Sequence, residues 1–421
     1  MAMKRVIIVG AGFGGIRAAS ALSGKGVEVL LLDRHNYHLF HPLLYQVATA
    51  SLEQESIAYP VRAMMRRWKG VSFRMTEVCG VDLDQRQLKT SSGTIDYDYL
   101  VMSAGSISNY FGMESVQRHA FDLKKMEMAV GLRNQILGSF ERASRETDPE
   151  VRRALLTFVI VGGGPTGVEF AGALHELMRH VLTKDFPELA ATEKRTLLIE
   201  ASDCLLTPYP EDLRRYTLEK LQQMGVEVMF KAQVSGAETD RVLLADGTII
   251  PCHTLFWCAG VSASPLAKDL TAAKAPSGRV PVEPDLTLPG HPEVFVIGDL
   301  AYLVQDGAPL PMMAPVAMQQ GLYAGKAILQ KIAGTPVAPF RFRDKGIMAT
   351  IGRSAAVASV HGLKFSGHFA WLVWLALHLM YLVGFRNRLV VLINWAYDYL
   401  FYERQVRLIT REDEAGSCKK S

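Results

Sequence analysis

The sequence has few cysteines, and none of them form a CxxC pair. Its 421 residues include Cys79, Cys204, Cys252, Cys258 and Cys418. The closest pair, Cys252 and Cys258, would lie about 20 Å apart in an extended strand, which is too far for a disulfide. This inventory excludes a disulfide framework and is typical of a reduced, cytosolic-type protein.

The sequence also lacks a large net charge and a long uninterrupted apolar run. The net charge of +4 is too small to indicate nucleic-acid binding. Residues 341–411 hold ten Lys/Arg and three Asp/Glu, so the C-terminal region is basic. That is compatible with an anionic membrane surface or with an ordinary solvated face. We expect no secretion signal, because the glycines that follow Lys4 and Arg5 come too early for one.

The stretch RVIIVGAGFGGIRAASAL, residues 5–22, has the pattern of a dinucleotide-binding turn. An apolar strand leads into Gly10-x-Gly12-x-x-Gly15, an alanine-rich helix follows, and the next strand ends in Asp33. Gly10 permits a tight turn, Gly12 lets backbone N–H groups approach a pyrophosphate, and Gly15 lets the helix pack on the strand. Asp33 is placed to accept both hydroxyls of an adenosine ribose.

The same pattern recurs at residues 155–174, LLTFVIVGGGPTGVEFAGAL. Here a strand leads into Gly162-x-Gly164-x-x-Gly167 and a helix, and the later strand RTLLIE ends in Glu200. An acid at this position favours a free ribose 2′-hydroxyl over a 2′-phosphate, and therefore NADH over NADPH. At 421 residues the chain exceeds what one core usually serves. We therefore predict an α/β fold with two Rossmann-like domains.

Three later segments each run from a strand into a turn of small residues. They are Ile95–Ser106, His253–Ser264 and His291–Ala301, and the last contains Gly298-Asp299. In this order they resemble the two-dinucleotide-binding flavoprotein superfamily. The resemblance implies that the first site holds FAD, with Asp299 bonded to the ribitol, and that the second holds NADH. It implies an FAD domain at residues 1–115 and 285–335 and an NADH domain at residues 116–284.

Residues 336–421 are predicted to form a membrane-associating region with two helices near residues 368–404. As helices, the segments place Trp371, Trp374, His378 and Tyr381 on one face, and Asn394 with Asp398 in a narrow polar stripe. Aromatic residues, leucines and flanking arginines are typical of helices that lie in a membrane interface. Packing in a dimer interface or on the protein's own core is an alternative, and so is a true span, although seventeen apolar residues interrupted by His378 are short for one.

Over nearly its whole length the chain resembles the type II NADH:quinone oxidoreductases, single-subunit NADH dehydrogenases that do not pump protons. The resemblance rests on VGAGFGG, HLFHPLLYQVATA, VGGGPTGVEFAG, VIGD and APVAMQQG, with the two apolar C-terminal segments. It implies that tightly bound, non-covalent FAD passes two electrons from NADH to a membrane quinone, at the cytoplasmic face of the cell membrane. Many members have A-Q-x-A-x-Q near the quinone, whereas this chain has Pro315 in place of the first glutamine.

Three side chains are predicted to act at the reaction. Glu169 is expected in the first helical turn after GGGPTG, where the resemblance implies substrate positioning or proton handling; a carboxylate favoured only by the helix dipole is the alternative. Gln319 and Gln320 are expected to open a helix and to bond a quinone carbonyl, with solvation of the helix start as the alternative.

The remaining predicted contacts follow the two fingerprints and the resemblance. The FAD contacts are Gly10, Gly12, Gly14, Gly15, Asp33, Arg34, Pro42, Ala104, Gly105, Gly298, Asp299 and Ala317. The NADH contacts are Gly162, Gly164, Pro165, Thr166, Gly167, Glu169, Glu200, Ala259 and Gly260. Tyr45 and Gln46 are candidates for contact with the isoalloxazine. No metal site is predicted, because His38 and His41 lack further ligands nearby.

Other functions fit parts of the sequence. A sulfide:quinone oxidoreductase would need reactive cysteines near residues 38–50 or near Gln319, and none occurs there. A soluble NADH-dependent reductase of an iron–sulfur protein would make the apolar C-terminal segments packing elements. A flavin-bearing, membrane-associated binding protein would need no quinone pocket. A homodimer is compatible with any of these.

Overall fold

The chain divides into two compact units, and the computed structural model describes residues 3–271, 273–401, 403–404 and 406–410. Unit 1 comprises Met1–Leu39, Ala58–Ile107 and Val261–Lys345. Unit 2 comprises Phe40–Ile57, Ser108–Gly260 and Gly346–Ser421. This division differs from the predicted boundaries. Residues 40–57 and 108–115 group with unit 2, residues 261–284 and 336–345 group with unit 1, and the rest of the C-terminal region is part of unit 2 instead of a separate domain.

Unit 1 is built on a six-stranded sheet that is parallel except at one edge. In spatial order its strands are Thr287–Leu288, His291–Val296, Tyr99–Met102, Arg5–Val9, Glu28–Asp33 and Val71–Met75, and only the first pairs antiparallel. Odd and even positions of the central strands bury against different clusters. Val6 and Ile8 join one cluster, and Ile7 and Val9 join the other. Burial on both faces explains why these strands are continuous apolar runs.

Two helices of unit 1, Phe13–Leu22 and Ala314–Ile332, cross closely on one face of this sheet. The crossing needs small residues, because a Cβ on Gly321 would overlap the Gly14 carbonyl oxygen, and one on Gly325 would lie 2.6 Å from Ala21 Cβ. The other helical segments of unit 1 are Val61–Met65, Pro265–Asp269, Pro276–Gly278 and Gly298–Leu300. Its smaller strands are Tyr37–Leu39, Ala58–Pro60, Val78–Asp82, Gln87–Thr90, Gly93–Asp96, Ser106–Ser108, Val261–Ala263, Val280–Pro281, Ala301–Tyr302, Val304–Gln305 and Ala308–Pro309.

Unit 2 repeats the parallel-sheet plan. Its five strands, in spatial order, are Ala120–Phe121, Thr254–Trp257, Thr157–Val161, Arg195–Ile199 and Glu227–Met229, and all pair parallel. An antiparallel sheet of Val234–Ala237, Arg241–Leu244 and Ile249–Pro251 packs near it. Its helical segments before residue 346 are His41–Leu43, Leu44–Ala48, Gln54–Ile57, Glu114–His119, Met126–Ala143, Pro149–Leu155, Pro165–Glu176, Leu177–Leu182, Thr183–Asp185, Pro187–Leu189 and Glu211–Met224.

The C-terminal region adds a second antiparallel sheet and two helices to unit 2. The strands are Ile347–Gly352, Ala355–Val360 and Leu363–Ser366, and the helices are Gly367–Tyr381 and Phe385–Phe401. The sheet packs against the helix Pro165–Glu176 so closely that a Cβ on Gly172 would overlap the Ile351 carbonyl oxygen. Within the described residues, none of the helices combines the length and the hydropathy that crossing a bilayer requires.

The α/β fold class is therefore confirmed, with one mainly parallel sheet and one Gly-rich strand–turn–helix in each unit. The two predicted C-terminal helices are present, preceded by a sheet that was not predicted. Of the four residues expected on one helical face, Trp374 is buried, Trp371 and His378 are partly buried, and Tyr381 is exposed.

Candidate functional site

In unit 1 the first Gly-rich turn forms an open cradle at a helix N-terminus. Gly10 has φ +100°, and a Cβ there would overlap the Ser103 carbonyl oxygen. A Cβ on Gly15 would overlap the Gly10 carbonyl oxygen, so these two glycines are required by the protein's own packing. A Cβ on Gly12 would meet nothing within 4 Å. Gly12 caps the helix without a side-chain bond, and open space over a helix N-terminus is suited to a pyrophosphate.

The carboxylate of Asp33 is fixed beside this turn. Its Oδ2 accepts the Ala11 N–H at 2.7 Å, and its Oδ1 accepts the His35 N–H at 2.7 Å. His38 holds the same turn from the other side, with Nδ1 2.8 Å from the Ala11 carbonyl oxygen. Burial lowers the pKa of His38, so its ring is a neutral structural group. Arg34, next to Asp33, extends toward Glu77 at 4.0 Å.

Two side chains of unit 1 hold the segment Gly298-Asp299 in place. The hydroxyl of Ser106 donates to Asp299 Oδ2 at 2.5 Å, and the Gly298 N–H donates to Gln320 Oε1 at 2.6 Å. Ala317 packs against Gly298, where an added Cβ would lie 3.3 Å from Ala317 Cβ. These contacts support an FAD site built from Asp33, Asp299 and the Gly-rich turn, the residues expected to hold it.

Three further residues predicted to contact FAD are Ala104, Gly105 and Pro42. Ala104 and Gly105 follow the strand Tyr99–Met102, and the Gly105 carbonyl accepts the Ser264 N–H at 3.0 Å. Pro42, also predicted to contact FAD, belongs to unit 2 and lies in the short helix His41–Leu43.

The two glutamines predicted to contact quinone lie in the second turn of the helix Ala314–Ile332, so the expectation that they open a helix is corrected. The helix begins earlier because Pro315 fits its first turn, where no N–H bond is lost. The side-chain amide of Gln319 makes two hydrogen bonds with the Arg343 backbone. Its Nε2 donates to the carbonyl oxygen at 2.9 Å, and its Oε1 accepts the N–H at 3.0 Å. Gln320 is buried, with its carbonyl on Gly298.

In unit 2 the second Gly-rich turn repeats the first. Gly162 has φ +116°, a Cβ there would lie 2.8 Å from Ala259, and one on Gly167 would overlap the Gly162 carbonyl oxygen. Gly164 again faces open space. Pro165 and Thr166 begin the helix Pro165–Glu176 and are exposed beside it. Ala259 and Gly260 follow the strand Thr254–Trp257, and the Gly260 carbonyl accepts the Asn109 N–H at 3.1 Å.

Glu200 occupies in unit 2 the place that Asp33 has in unit 1. Its Oε2 accepts the Gly163 N–H at 2.6 Å, and its Oε1 accepts the Ser202 N–H at 2.8 Å. The carboxylate follows the strand Arg195–Ile199 directly, so the long sequence separation from Gly162 does not displace it. This arrangement suits a ribose with two free hydroxyls.

A cavity of about 460 Å³ lies within unit 2. Its lining combines apolar, aromatic and ionisable side chains. They include Tyr45, Gln46, Ser51, Glu169, His175, Glu176, Arg179, His180, Lys220, Thr350, Arg353, Trp371, Trp374, Trp395, Asp398 and Arg404. Arg179 is exposed, so the cavity reaches the protein surface. A space of this size, with aromatic walls and a set of converging polar groups, is typical of a small-molecule site.

Glu169 is the predicted catalytic residue that faces this cavity. It lies in the second turn of the helix Pro165–Glu176, one turn later than expected, and its Oε1 accepts the Thr350 N–H at 3.2 Å. Desolvation by the surrounding protein raises the pKa of Glu169 from 4.5 to about 8, despite the opposing Thr350 N–H. The side chain therefore carries a proton at neutral pH, which a carboxylate held only by the helix dipole would not.

A hydrogen-bonded chain connects this region to the last helix. Trp395 Nε1 donates to Gln46 Oε1 at 2.7 Å, and Gln46 Nε2 donates to the Tyr45 hydroxyl at 3.0 Å. The Tyr45 hydroxyl lies 3.1 Å from Thr350 Oγ1. Tyr45 and Gln46 thus belong to the cavity wall, and both the oxygen and the nitrogen of the Gln46 amide are used to position neighbours.

The two C-terminal helices close one wall of the cavity with aromatic rings. Trp374 stacks on His378 at 3.9 Å between ring centroids and lies against Trp395 at 5.8 Å, and Trp371 stacks on Tyr399 at 5.3 Å. Burial lowers the pKa of His378 to about 4, so its ring is neutral.

Residues that sequence reasoning missed form a charge cluster beside these rings. Arg404 is 8% exposed and donates to the carbonyls of Thr49 at 2.7 Å and Ala173 at 2.9 Å, with Glu176 3.4 Å away. The cluster gathers residues far apart in sequence, so no local motif signals it.

Cys258 packs against the second Gly-rich turn, with its thiol 3.4 Å from the Gly162 carbonyl oxygen. Cys258 is partly buried, and its thiol donates to the Val161 carbonyl at 3.2 Å; desolvation raises its pKa above the usual range. Cys79, Cys204 and Cys252 are free thiols, and Cys418 lies outside the described residues. Throughout the part of the chain that the structure describes, there is no group of three potential metal ligands.

Two protein families match this chain. The family described as pyridine nucleotide-disulphide oxidoreductase matches residues 4–321, and the NDH2 C-terminal domain matches residues 345–404. The two matches include both Gly-rich turns and the two C-terminal helices.

Individual proteins are similar over almost the whole chain. The type II NADH:quinone oxidoreductase Ndh of Mycobacterium tuberculosis is 39% identical, with 96% of this chain and 90% of that protein covered. NdhA of the same organism is 40% identical, with 97% and 90% covered. The structure of NDH2 from Plasmodium falciparum in complex with NADH has a TM-score of 0.88 at 18% identity, with 96% of this chain and 100% of that chain covered. That last likeness establishes the fold.

Proposed function

Because the chain belongs to the type II NADH:quinone oxidoreductase family, we propose that it oxidises NADH and reduces a quinone at the cavity that Glu169 faces. The resemblance found in the sequence is thereby confirmed, as is the assignment of the chain as an FAD-dependent oxidoreductase. The observation that carries the proposal of site is the position of Glu169, which lines an aromatic-walled cavity and accepts the Thr350 N–H at 3.2 Å. Desolvation at this position raises its pKa to about 8.

The cradle of unit 1 fits FAD. Its open space over Gly12, the oriented carboxylate of Asp33 and the Ser106-bonded Asp299 match a pyrophosphate, a ribose and a polyol chain. When bound, FAD supplies the capacity to accept a hydride from NADH and to deliver two electrons to a quinone. Gln320 holds the Gly298 backbone in this cradle.

The cradle of unit 2 fits NADH. Glu200 is oriented by two backbone N–H groups and would repel a 2′-phosphate at the same place. Positioning is what the protein must provide for hydride transfer, since no acidic or basic side chain is needed for that step.

Glu169 is suited to supply the proton that a quinone needs in addition to the hydride. Reduction of a quinone by NADH consumes one proton from water in addition to the hydride. A carboxyl group that is protonated at neutral pH and faces the cavity can donate that proton to a quinone oxygen. Gln319 and Gln320 would contact quinone only by giving up the backbone bonds they now make.

The outer surface of the two C-terminal helices is suited to a membrane interface. Met380 is 73% exposed and Phe385 is 82% exposed. Further exposed apolar side chains on these helices are Phe369, Leu372, Leu377, Leu389, Leu392, Ile393, Leu400 and Phe401. Many exposed apolar side chains on two helices, beside exposed Arg386, are typical of a monotopic protein, and a lipid-soluble quinone would be reached from their side. We place this surface on the cytoplasmic face of the cell membrane, where NADH is available.

The activity is tested with purified FAD-loaded protein, NADH or NADPH, and a short-chain quinone. We expect quinol formation with NADH, and little with NADPH; flavin reduction without quinone turnover would contradict the proposal and favour an iron–sulfur protein reductase or a binding protein.

The membrane surface is tested by flotation with vesicles of anionic phospholipid. We expect the protein to float and the double variant Met380→Glu/Phe385→Glu to lose most of its binding. The control Ile249→Glu changes an exposed apolar residue elsewhere in unit 2, at 55% exposure, and should float normally. Loss of dimers in place of vesicle binding would assign the surface to a homodimer.

A further inference from the structure

Four acids of the described chain line the cavity, Glu169, Glu176, Asp398 and Glu403, and the proposed reaction uses Glu169 alone. Asp398 lies on the helix Phe385–Phe401, three residues after Trp395, and its side chain lines the same cavity as Glu169. The sequence marks Asp398 only as part of a narrow polar stripe. The structure turns this part of the stripe inward, to the wall of the site.

Asp398 and Glu176 differ in how they pair with the buried cation Arg404. Arg404 pairs with Glu176 through Nη2 at 3.4 Å and donates from Nη1 to two backbone carbonyls. Within the described residues, Asp398 has no ion pair within 4.0 Å. Arg353 and Lys220 also act on Glu176, whereas Arg404 is the cation that acts on Asp398, and desolvation disfavours the ionised form of Asp398, so this acid tends to hold a proton.

The groups that act on Asp398 come from three parts of unit 2. Glu176 belongs to the helix Pro165–Glu176, Arg404 to the segment after the last helix, and Ser51 to the turn after the helix Leu44–Ala48. The charged side chains of Arg353 and Glu403 line the same cavity. Desolvation raises the pKa of Asp398 to about 7, and Glu176 also acts to raise it. Arg404 and a hydrogen bond with Ser51 act in the opposite direction.

We propose that Asp398 returns a proton to Glu169 after each quinone reduction, through water in the cavity that both side chains line. The inference rests on the proposed function. In each turnover, the Glu169 carboxyl gives its proton to a quinone oxygen and becomes a carboxylate. The Asp398 carboxyl then reprotonates Glu169, and solvent reprotonates Asp398, so one proton is taken from water as NADH and quinone become NAD⁺ and quinol.

The dimensions of the cavity allow this transfer. At about 460 Å³ it has room for on the order of ten water molecules beside the residues named. Because the exposed Arg179 is part of the lining, solvent has access to the cavity. Asp398 is a relay residue in this scheme, since it acts on the substrate only through Glu169.

The test is the variant Asp398→Asn, which keeps the shape and a hydrogen-bonding group for Ser51 but cannot release a proton. We expect NADH:quinone kcat to fall about tenfold or more. Flavin reduction by NADH in a single anaerobic turnover, FAD content, and NADH turnover with ferricyanide should stay normal, because ferricyanide takes electrons without protons. Asp398→Glu should recover part of the quinone rate. Asp212→Asn, in the surface pair with Lys364, is the matched control and should behave as wild type.

The pH profile distinguishes a relay from a structural role. A donor must be protonated, so wild-type kcat should fall as pH rises through about 7, and Asp398→Asn should lack this limb. Ser51→Ala removes a bond that favours the ionised form, so it should move the limb to higher pH.

An Asp398→Asn enzyme with wild-type quinone turnover and an unchanged limb would overturn the relay. If that variant fails to fold, an unmoved limb in Ser51→Ala would overturn it. If wild-type protein itself does not reduce quinone, it is the proposed function that fails.

Discussion

The desolvation of Glu169 has a cost in stability that can be measured separately from activity. In the unfolded chain this carboxyl ionises near 4.5, whereas in the folded protein desolvation raises its pKa to about 8. Between those two values the folded state holds a proton that the unfolded state has released. The free energy of unfolding therefore falls as pH rises from about 4.5 and stops falling above about 8.

The magnitude follows from the size of the shift. Each unit of pKa difference corresponds to about 1.4 kcal/mol, so at pH 7 the enclosed carboxyl costs the folded protein about 3 kcal/mol relative to acid conditions. A glutamine has the shape of the protonated acid without its ionisation, so the variant Glu169→Gln should be more stable than wild type by about this amount at pH 7. Near pH 4.5 the two proteins should be alike.

The assay is urea unfolding of FAD-loaded wild type and Glu169→Gln at several pH values. We expect the difference in free energy of unfolding to grow from about pH 5 to pH 8. Glu219→Gln, an exposed change in the helix Glu211–Met224, is the matched control and should follow wild type throughout. A difference that does not change with pH would refute the argument that Glu169 holds its proton.

Three further predictions concern other parts of the site. Gln320→Leu leaves the Gly298 N–H without its acceptor, at about 1–3 kcal/mol, so bound FAD per protein after dialysis should fall, whereas Gln319→Leu should retain it; equal retention would contradict the role of Gln320. Glu200→Ser removes the carboxylate that repels a 2′-phosphate, so the ratio of kcat/KM for NADPH to that for NADH should rise, and a constant ratio would show that selectivity lies elsewhere. Arg404→Met leaves Glu176 without its cation and should lower the free energy of unfolding by about 3–5 kcal/mol, with Arg404→Met/Glu176→Gln recovering much of the loss; no recovery would mean that the pair is not the cause.

The Gly-rich turns could be predicted because each is determined by residues near each other in sequence. A strand, three glycines and a helix suffice, and the closing acid comes at the end of the next strand. The structure holds Asp33 and Glu200 in the same way, by backbone N–H groups of their turns. The insert before Glu200 lengthens the chain without changing which strand pairs with which.

The cavity could not be predicted, because its residues meet only through tertiary packing. Gly172 reads as one of several small residues in an alanine-rich helix, but it is what allows the strand Ile347–Gly352 to approach. That strand brings Thr350 to Glu169 and Tyr45. Arg404 follows an apolar helix and reads as a flanking surface charge, whereas it is buried. Long side chains of this kind are usually exposed, and only their distant partners decide otherwise.

Two opposite demands explain why the C-terminal region belongs to unit 2. One surface of its helices exposes apolar side chains that are suited to lipid. These exposed side chains alone would not fix the position of the helices on the rest of the protein. The other surface buries Trp374 in the cavity wall, and Arg404 anchors the segment that follows to backbone carbonyls of two other elements. The anchoring introduces a buried cation, which Glu176 balances. Asp398, on the last helix, lines the same cavity, and desolvation raises its pKa to about 7, so the contacts that fix the two C-terminal helices also create a proton-holding group in the cavity that Glu169 faces.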